Sequence, residues 1–95
     1  MISKITATPT FERTVKKLPE RARKEINVAI GEILANPKIG SAKKGDLAGI
    51  FVHKFKVNKQ ETLLSYQLIS IDRSEEELVL LAIGSHENFY RDLKR

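Results

Sequence analysis

Apolar positions along the chain change period several times, and each change marks an element. Met1–Ala7 alternates loosely, with Ile2 and Ile5 apolar, and predicts a short first strand. Thr8-Pro9-Thr10 then reads as a helix start, a hydroxyl cap followed by a proline suited to the first helical position. Phe11, Val15 and Leu18 recur at helical spacing up to Pro19, which ends one helix and can open the next. In the second helix Ala22, Ile26, Ala29, Ile30, Ile33 and Leu34 form one apolar stripe, and Asn36-Pro37 stops it. A join this short predicts an antiparallel helical hairpin.

Residues 38–49 are rich in glycine and lysine and read as a loop. The period then becomes two. Ile50–Val57 predicts a strand with Phe51, His53, Phe55 and Val57 on one face and Ile50, Val52, Lys54 and Lys56 on the other. A polar turn at Asn58–Glu61 leads into a second strand, Thr62–Ile71, so the pair should form a hairpin. After an acidic turn at Asp72–Glu77, the apolar run Leu78–Ile83 has the pattern of a strand covered on both faces. Glu87–Arg95 predicts a short terminal helix with Phe89 and Leu93 facing inward. The expected fold is α+β: an N-terminal strand, a two-helix hairpin, an antiparallel sheet of about four strands and a C-terminal helix, all in one domain spanning residues 1–95.

Composition narrows the function. The chain has no cysteine, which excludes a disulfide scaffold, a thiolate metal site and a cysteine nucleophile. No signal peptide or membrane-length apolar stretch is apparent, so the chain reads as a soluble cytoplasmic protein. Its net charge of +5 is unevenly placed. Residues 1–60 hold 13 Lys and Arg against 5 acidic residues, whereas residues 61–95 hold 4 against 7. That excess fits a nucleic-acid partner, because each phosphate neutralised by Lys or Arg releases counterions. It equally fits a solvated basic surface or an acidic protein partner.

Two segments carry candidate chemistry. Lys54 and Lys56 lie two apart on a strand and so point the same way. Adjacent ammonium groups repel and would not be buried unpaired, so their face should be open, at least at its centre, and available to an anion. Cations placed there could stabilise the charge that builds on phosphoryl oxygens during phosphodiester cleavage. The other reading is a solvated face whose lysines serve solubility. The second segment is Gly84-Ser85-His86-Glu87-Asn88-Phe89-Tyr90, which leaves the most apolar strand. His86 can exchange a proton near neutral pH, and Tyr90, four residues on, shares its helical face if the helix has begun. Equally, Ser85 or His86 caps the terminal helix and Tyr90 covers the edge of the core. His53 alternates with Phe51 and Phe55 and reads first as a packing residue. No acid stands at ligand spacing around either histidine, and no phosphate-binding glycine loop is present, so neither metal nor cofactor is expected.

The order and spacing of these segments resemble the RelE/ParE superfamily of bacterial toxins over nearly the whole chain. The likeness runs from the opening strand through the hairpin ending Ile33-Leu34-Ala35-Asn36-Pro37, the loop Lys43–Gly49 and the strand Phe51–Val57. It continues through Leu63-Leu64-Ser65-Tyr66-Gln67-Leu68 and Ala82-Ile83-Gly84-Ser85-His86. The resemblance implies a type II toxin restrained by a cognate antitoxin. In the RelE-like branch it further implies an endoribonuclease that cleaves mRNA at the ribosome without metal and so inhibits translation. Lys54 and Lys56 match a functional Lys-x-Lys pair of that branch, and His86 matches a histidine after the last strand in the YafQ-like branch. By this likeness the lysines stabilise the phosphorane, His86 is general acid or base, and Tyr90 stacks on a base or orients the nucleophile. Leu63 and the Ser85-His86 step stand where RelE-like members carry arginines, leaving Arg73 and Arg91 as possible substitutes. The same fold also serves ParE-like inhibitors of DNA gyrase without nuclease activity, and it could serve a non-enzymatic RNA- or ribosome-binding module.

Overall fold

A computed structural model describes residues 1–85. The elements run β1 (Ile2–Ala7), α1 (Pro9–Lys16), α2 (Glu20–Ala35), β2 (Ser41–Ala42), β3 (Phe51–Val57), β4 (Gln60–Ser70) and β5 (Glu76–Ser85). A single 3-10 turn, Gly45–Leu47, interrupts the basic loop. The chain is α+β, as its periodicity predicts. The terminal helix expected at Glu87–Arg95, with Phe89 and Leu93, lies outside the described residues.

The sheet has five strands in the order β1-β5-β4-β3-β2. It is mixed, with β2, β3, β4 and β5 antiparallel in succession and β1 parallel to β5. The expected all-antiparallel sheet of about four strands therefore differs in two places. A parallel pair needs a long crossover, and here both helices and three strands intervene between the partners. The additional strand, β2, has only two residues, too few for any periodicity to reveal it.

Local chemistry accounts for the helix boundaries. The Thr8 hydroxyl accepts the Phe11 N–H at 3.1 Å, capping α1, and Pro9 occupies the first turn. Pro19 sits at the N-cap of α2. The helices lie over different strands, α1 on β5 and α2 on β3. Beneath them Phe11, Ile26, Ile33, Leu64, Tyr66, Leu78, Leu80 and Ile83 form the main core. Burial of an aliphatic side chain such as Leu64 stabilises the fold by about 1.5–3 kcal/mol.

Two turns are tighter than the polarity of the sequence suggests. Asn58 and Lys59 both have positive φ, 52° and 67°, and close the β3–β4 hairpin in two residues. Gln60 and Glu61, expected in the turn, are strand residues facing solvent. The Asn58 N–H donates to the Glu25 carboxylate at 2.7 Å, tying that turn to α2. Glu76 and Glu77 likewise belong to β5, where Glu77 accepts the Thr6 hydroxyl at 2.7 Å.

The run Leu78–Ile83 is explained by a bulge rather than by cover on both faces. Ser65 pairs with Ala82 but Tyr66 pairs with Leu80, so Leu81 is an extra residue on β5. Leu78 and Leu80 face the helices before the bulge, and Ile83 faces them after it. Alternation is broken by one step, and the apolar run looks continuous. The Leu81 carbonyl accepts the Thr8 hydroxyl at 2.6 Å, linking the bulge to the cap of α1.

Candidate functional site

The face of the sheet away from the helices carries the lysine pair. On β3, Phe51, Phe55 and Val57 pack on the main core, while Lys54 and Lys56 point outward and are exposed. Val52 shares their face yet is buried, forming a small second cluster with Leu63, Ile50 and Ala82. The open face is thus apolar toward β2 and basic toward the β3–β4 turn. It is open at the lysines rather than throughout.

Cross-strand register sets the surroundings of each lysine. Lys54 stands opposite Leu63, which stands opposite Gly84 on β5. Lys56 stands opposite Glu61. Side chains directly opposed on one face interact, so Glu61 partly offsets Lys56, whereas Lys54 faces only apolar neighbours along its row. Neither lysine has an acidic partner within ion-pair distance among the described residues. The polarity of Asn58–Glu61 disguises Glu61 as a turn residue; a two-residue loop at Asn58-Lys59 places it opposite Lys56.

Gly84 lies two strands from Lys54, about 10 Å across the sheet by ordinary strand spacing. Among the described residues nothing lies within 4 Å of the place where a Gly84 Cβ would stand. β5 is described as far as Ser85. His86 and Tyr90, the other two candidates, lie outside the described residues, as does Arg91. Arg73 falls in the β4–β5 turn, beyond Ser70. Seven residues along β4 separate Ser70 from Leu63, about 23 Å, so Arg73 sits at the opposite end of the sheet from Lys54.

His53 is a packing residue, as its alternation with phenylalanines suggests. It is buried on the helix side, its ring 5.5 Å from that of Phe55, with Nε2 3.4 Å from the Glu32 carboxylate. It therefore faces away from Lys54 and Lys56. Among the described residues no group of His, Cys, Asp and Glu could hold a metal ion, and no helix is long and apolar enough to cross a membrane.

A second polar feature shapes the border of the site. The buried Tyr66 hydroxyl donates to the Pro37 carbonyl at 2.8 Å and accepts the Gly40 N–H at 3.0 Å. Loss of hydration holds its phenol above the ordinary value of 10.0, with the Gly40 N–H opposing that rise. Its ring stacks on Phe51 at 5.4 Å. Gly40 is required by this approach, since a Cβ there would lie 2.9 Å from the Tyr66 hydroxyl and 3.0 Å from the Val52 backbone. The clamp fixes the start of the lysine-rich loop against β3. Its three residues, Pro37, Gly40 and Tyr66, are too far apart in the chain for any local pattern to mark it.

Comparison with known proteins bears on this arrangement. The profile of the ParE-like toxin of type II bacterial toxin–antitoxin systems matches residues 5–94. No curated protein matches the chain in sequence. Among solved structures, the RelBE2 toxin–antitoxin complex from Mycobacterium tuberculosis contains a similar chain, 25% identical, with a TM-score of 0.66 over 87% of this chain and 96% of that one. The isolated E. coli RelE toxin is 19% identical, with a TM-score of 0.64 over 97% and 96%. The intact E. coli RelBE complex gives 18% identity and a TM-score of 0.65 over 86% and 94%. The fold expected from the resemblance is thus present, and with the family profile matching nearly its whole length the chain belongs to the ParE-like toxins of type II toxin–antitoxin systems.

Proposed function

We propose that this toxin is a ribosome-dependent mRNA endoribonuclease that arrests translation without a metal. The observation that carries the reading is the pair Lys54 and Lys56, side by side, exposed, and without an acidic partner in ion-pair distance among the described residues. In the reaction a ribose 2′-hydroxyl attacks the adjacent phosphorus and the 5′-oxygen leaves, giving a 2′,3′-cyclic phosphate and a 5′-hydroxyl. Negative charge gathers on the non-bridging oxygens between these steps. An ammonium 4 Å from such an oxygen contributes about 1 kcal/mol in bulk water and about 4 kcal/mol at an effective dielectric of 20, so enclosure by the ribosome would strengthen the lysines' effect. Lys54, opposed by Leu63, supplies the less compensated charge. His86, following the end of β5, would take or give the proton, and Tyr90 would stack on a base or orient the nucleophile. The toxin would act in the cytoplasm and be restrained by a cognate antitoxin, as the toxin–antitoxin complexes among its structural relatives suggest.

Inhibition of DNA gyrase is the second reading, favoured by the ParE-like profile and by Leu63 where RelE-like members carry arginine. Primer extension on a reporter mRNA after induction separates the two. The nuclease reading expects cleavage that requires translation and disappears in His86→Ala. Double-strand DNA breaks with intact mRNA would reject it in favour of gyrase. Ribosome binding with neither form of damage would point to a non-enzymatic module.

A further inference from the structure

On its helix side the sheet ends in a groove. Where α1 meets α2 the chain passes the β3–β4 turn, and two adjoining recesses of about 160 Å³ and about 330 Å³ open there, both bordered by Leu18, Val57 and Gln60. The larger alone reaches the range of small-ligand sites. The walls are aliphatic, with Ile26 and Ile83 joining Leu18 and Val57. No Asp or Glu is among the described lining residues, whereas Arg21 is. Two lining hydroxyls have already committed their protons. Thr14 Oγ1 donates to the Thr10 carbonyl at 3.0 Å, and Thr62 Oγ1 donates to the Gln60 carbonyl at 3.1 Å. Each keeps its lone pairs, so toward a ligand these side chains act as acceptors. Thr62 pairs with Phe55 and Ser85, one residue from the row Lys54–Leu63–Gly84 and one from the pair Lys56–Glu61. The groove therefore lies behind the lysines, on the other face of the same strands. The exposed Lys59, in the β3–β4 turn, marks the rim between the two faces.

We infer that this groove receives a base of the RNA whose phosphate lies on Lys54 and Lys56, and that it favours adenine or cytosine over uracil. The inference rests on the nuclease reading and adds a base preference to it. Aliphatic walls take the two faces of a planar ring that has left its stack, and the polar lining reads the ring's edge. Arg21 in the lining and Lys59 at the rim suit the phosphates on either side of that base. Glu25 stands near the turn, but its carboxylate is engaged by the Asn58 N–H at 2.7 Å. The preference comes from the two threonines. Adenine and cytosine carry an amine where uracil carries a carbonyl. The amine donates to an acceptor hydroxyl, whereas the carbonyl sets lone pair against lone pair and leaves both groups unsatisfied. The Gln60 amide offers a donor and an acceptor and accommodates either base. An apolar protein side chain would fill the same walls but make no use of the acceptors.

The full-length toxin, labelled with nitrogen-15, tests this by titration with the 3′-monophosphates of cytidine, adenosine and uridine, followed through amide shifts. Shifts at Val57, Gln60 and Ser85 should saturate with the first two, and uridine monophosphate should bind about three- to tenfold more weakly, the scale of one hydrogen bond. Ribose 5-phosphate, which has no base, should move the Lys54 and Lys56 amides and leave the groove unchanged. Thr62→Val, similar in shape, should bring the affinity ratio close to one while the lysine shifts persist. Thr14→Val removes the other acceptor and serves if the first variant loses its native spectrum. The inference is overturned if every nucleotide shifts Lys54 and Lys56 alone, or if uridine monophosphate binds as well as the others. It is equally overturned if nuclear Overhauser effects place Phe89 of the same chain against Val57 and Ile83. The nuclease reading fails separately: a toxin that cleaves no mRNA still reports on the groove through these shifts, and a cleaving toxin whose groove residues do not move refutes the groove alone.

Discussion

The two faces of the sheet are built on opposite physical terms. Toward the helices lie Leu64, Tyr66 and Leu78, all completely buried, and polar atoms there are satisfied individually, as in the Tyr66 clamp. Toward solvent the same strands carry a small apolar cluster around Val52 and Leu63 and, beside it, two lysines facing a single glutamate. One face holds the molecule together. The other carries two lysines without an acidic partner in ion-pair distance among the described residues. Stability and candidate function therefore sit on alternate residues of one strand, β3.

Substitutions on the two faces should separate cleanly. Leu64→Ala is the largest expected loss of stability, about 2–5 kcal/mol from lost burial and a residual cavity, seen as a lower midpoint in denaturant unfolding. Lys54→Ala should move unfolding by no more than about 0.5 kcal/mol. It should nevertheless lower the rate of translation-dependent cleavage on the order of 100-fold, the scale for removing one preorganised charge-stabilising group. Lys56→Ala should lose less, because Glu61 already offsets that lysine. Equal losses at the two positions would contradict the register argument.

Tyr66→Phe probes the border between the faces. Removing the hydroxyl leaves the Pro37 carbonyl and the Gly40 N–H unpaired and should cost about 1–3 kcal/mol. It also carries a pH signature. Because the folded protein holds the Tyr66 proton more tightly than the unfolded chain, this contribution is complete below the unfolded value near 10 and is lost as pH rises through the higher folded value. The wild-type melting temperature should fall more steeply above about pH 10 than that of Tyr66→Phe. The smallest expected effect is Glu61→Gln, which removes the acid opposite Lys56. Affinity for a short oligoribonucleotide should rise about two- to threefold at low salt and return to wild type as salt is added, measured by fluorescence anisotropy.

Much of this architecture is legible in the chain itself. Thr8-Pro9 and Asn36-Pro37 bound the helical segment through backbone restrictions that need no tertiary context, and a period of two on Phe51–Val57 places Lys54 and Lys56 on one face. Those are near-neighbour effects, set by the geometry of a few consecutive residues. What lies across the sheet from each lysine is different. The two-residue loop at Asn58-Lys59, the extra residue Leu81, the parallel seating of β1 on β5 and the hold of Tyr66 on Gly40 all depend on contacts between distant segments. The sequence by itself determined an α+β toxin domain with two lysines on one strand face. Only the tertiary structure decided that Lys54 faces Leu63 while Lys56 faces Glu61, and that Arg73 lies at the far end of the sheet. Register and strand order follow from long-range pairing, and local preference does not encode them.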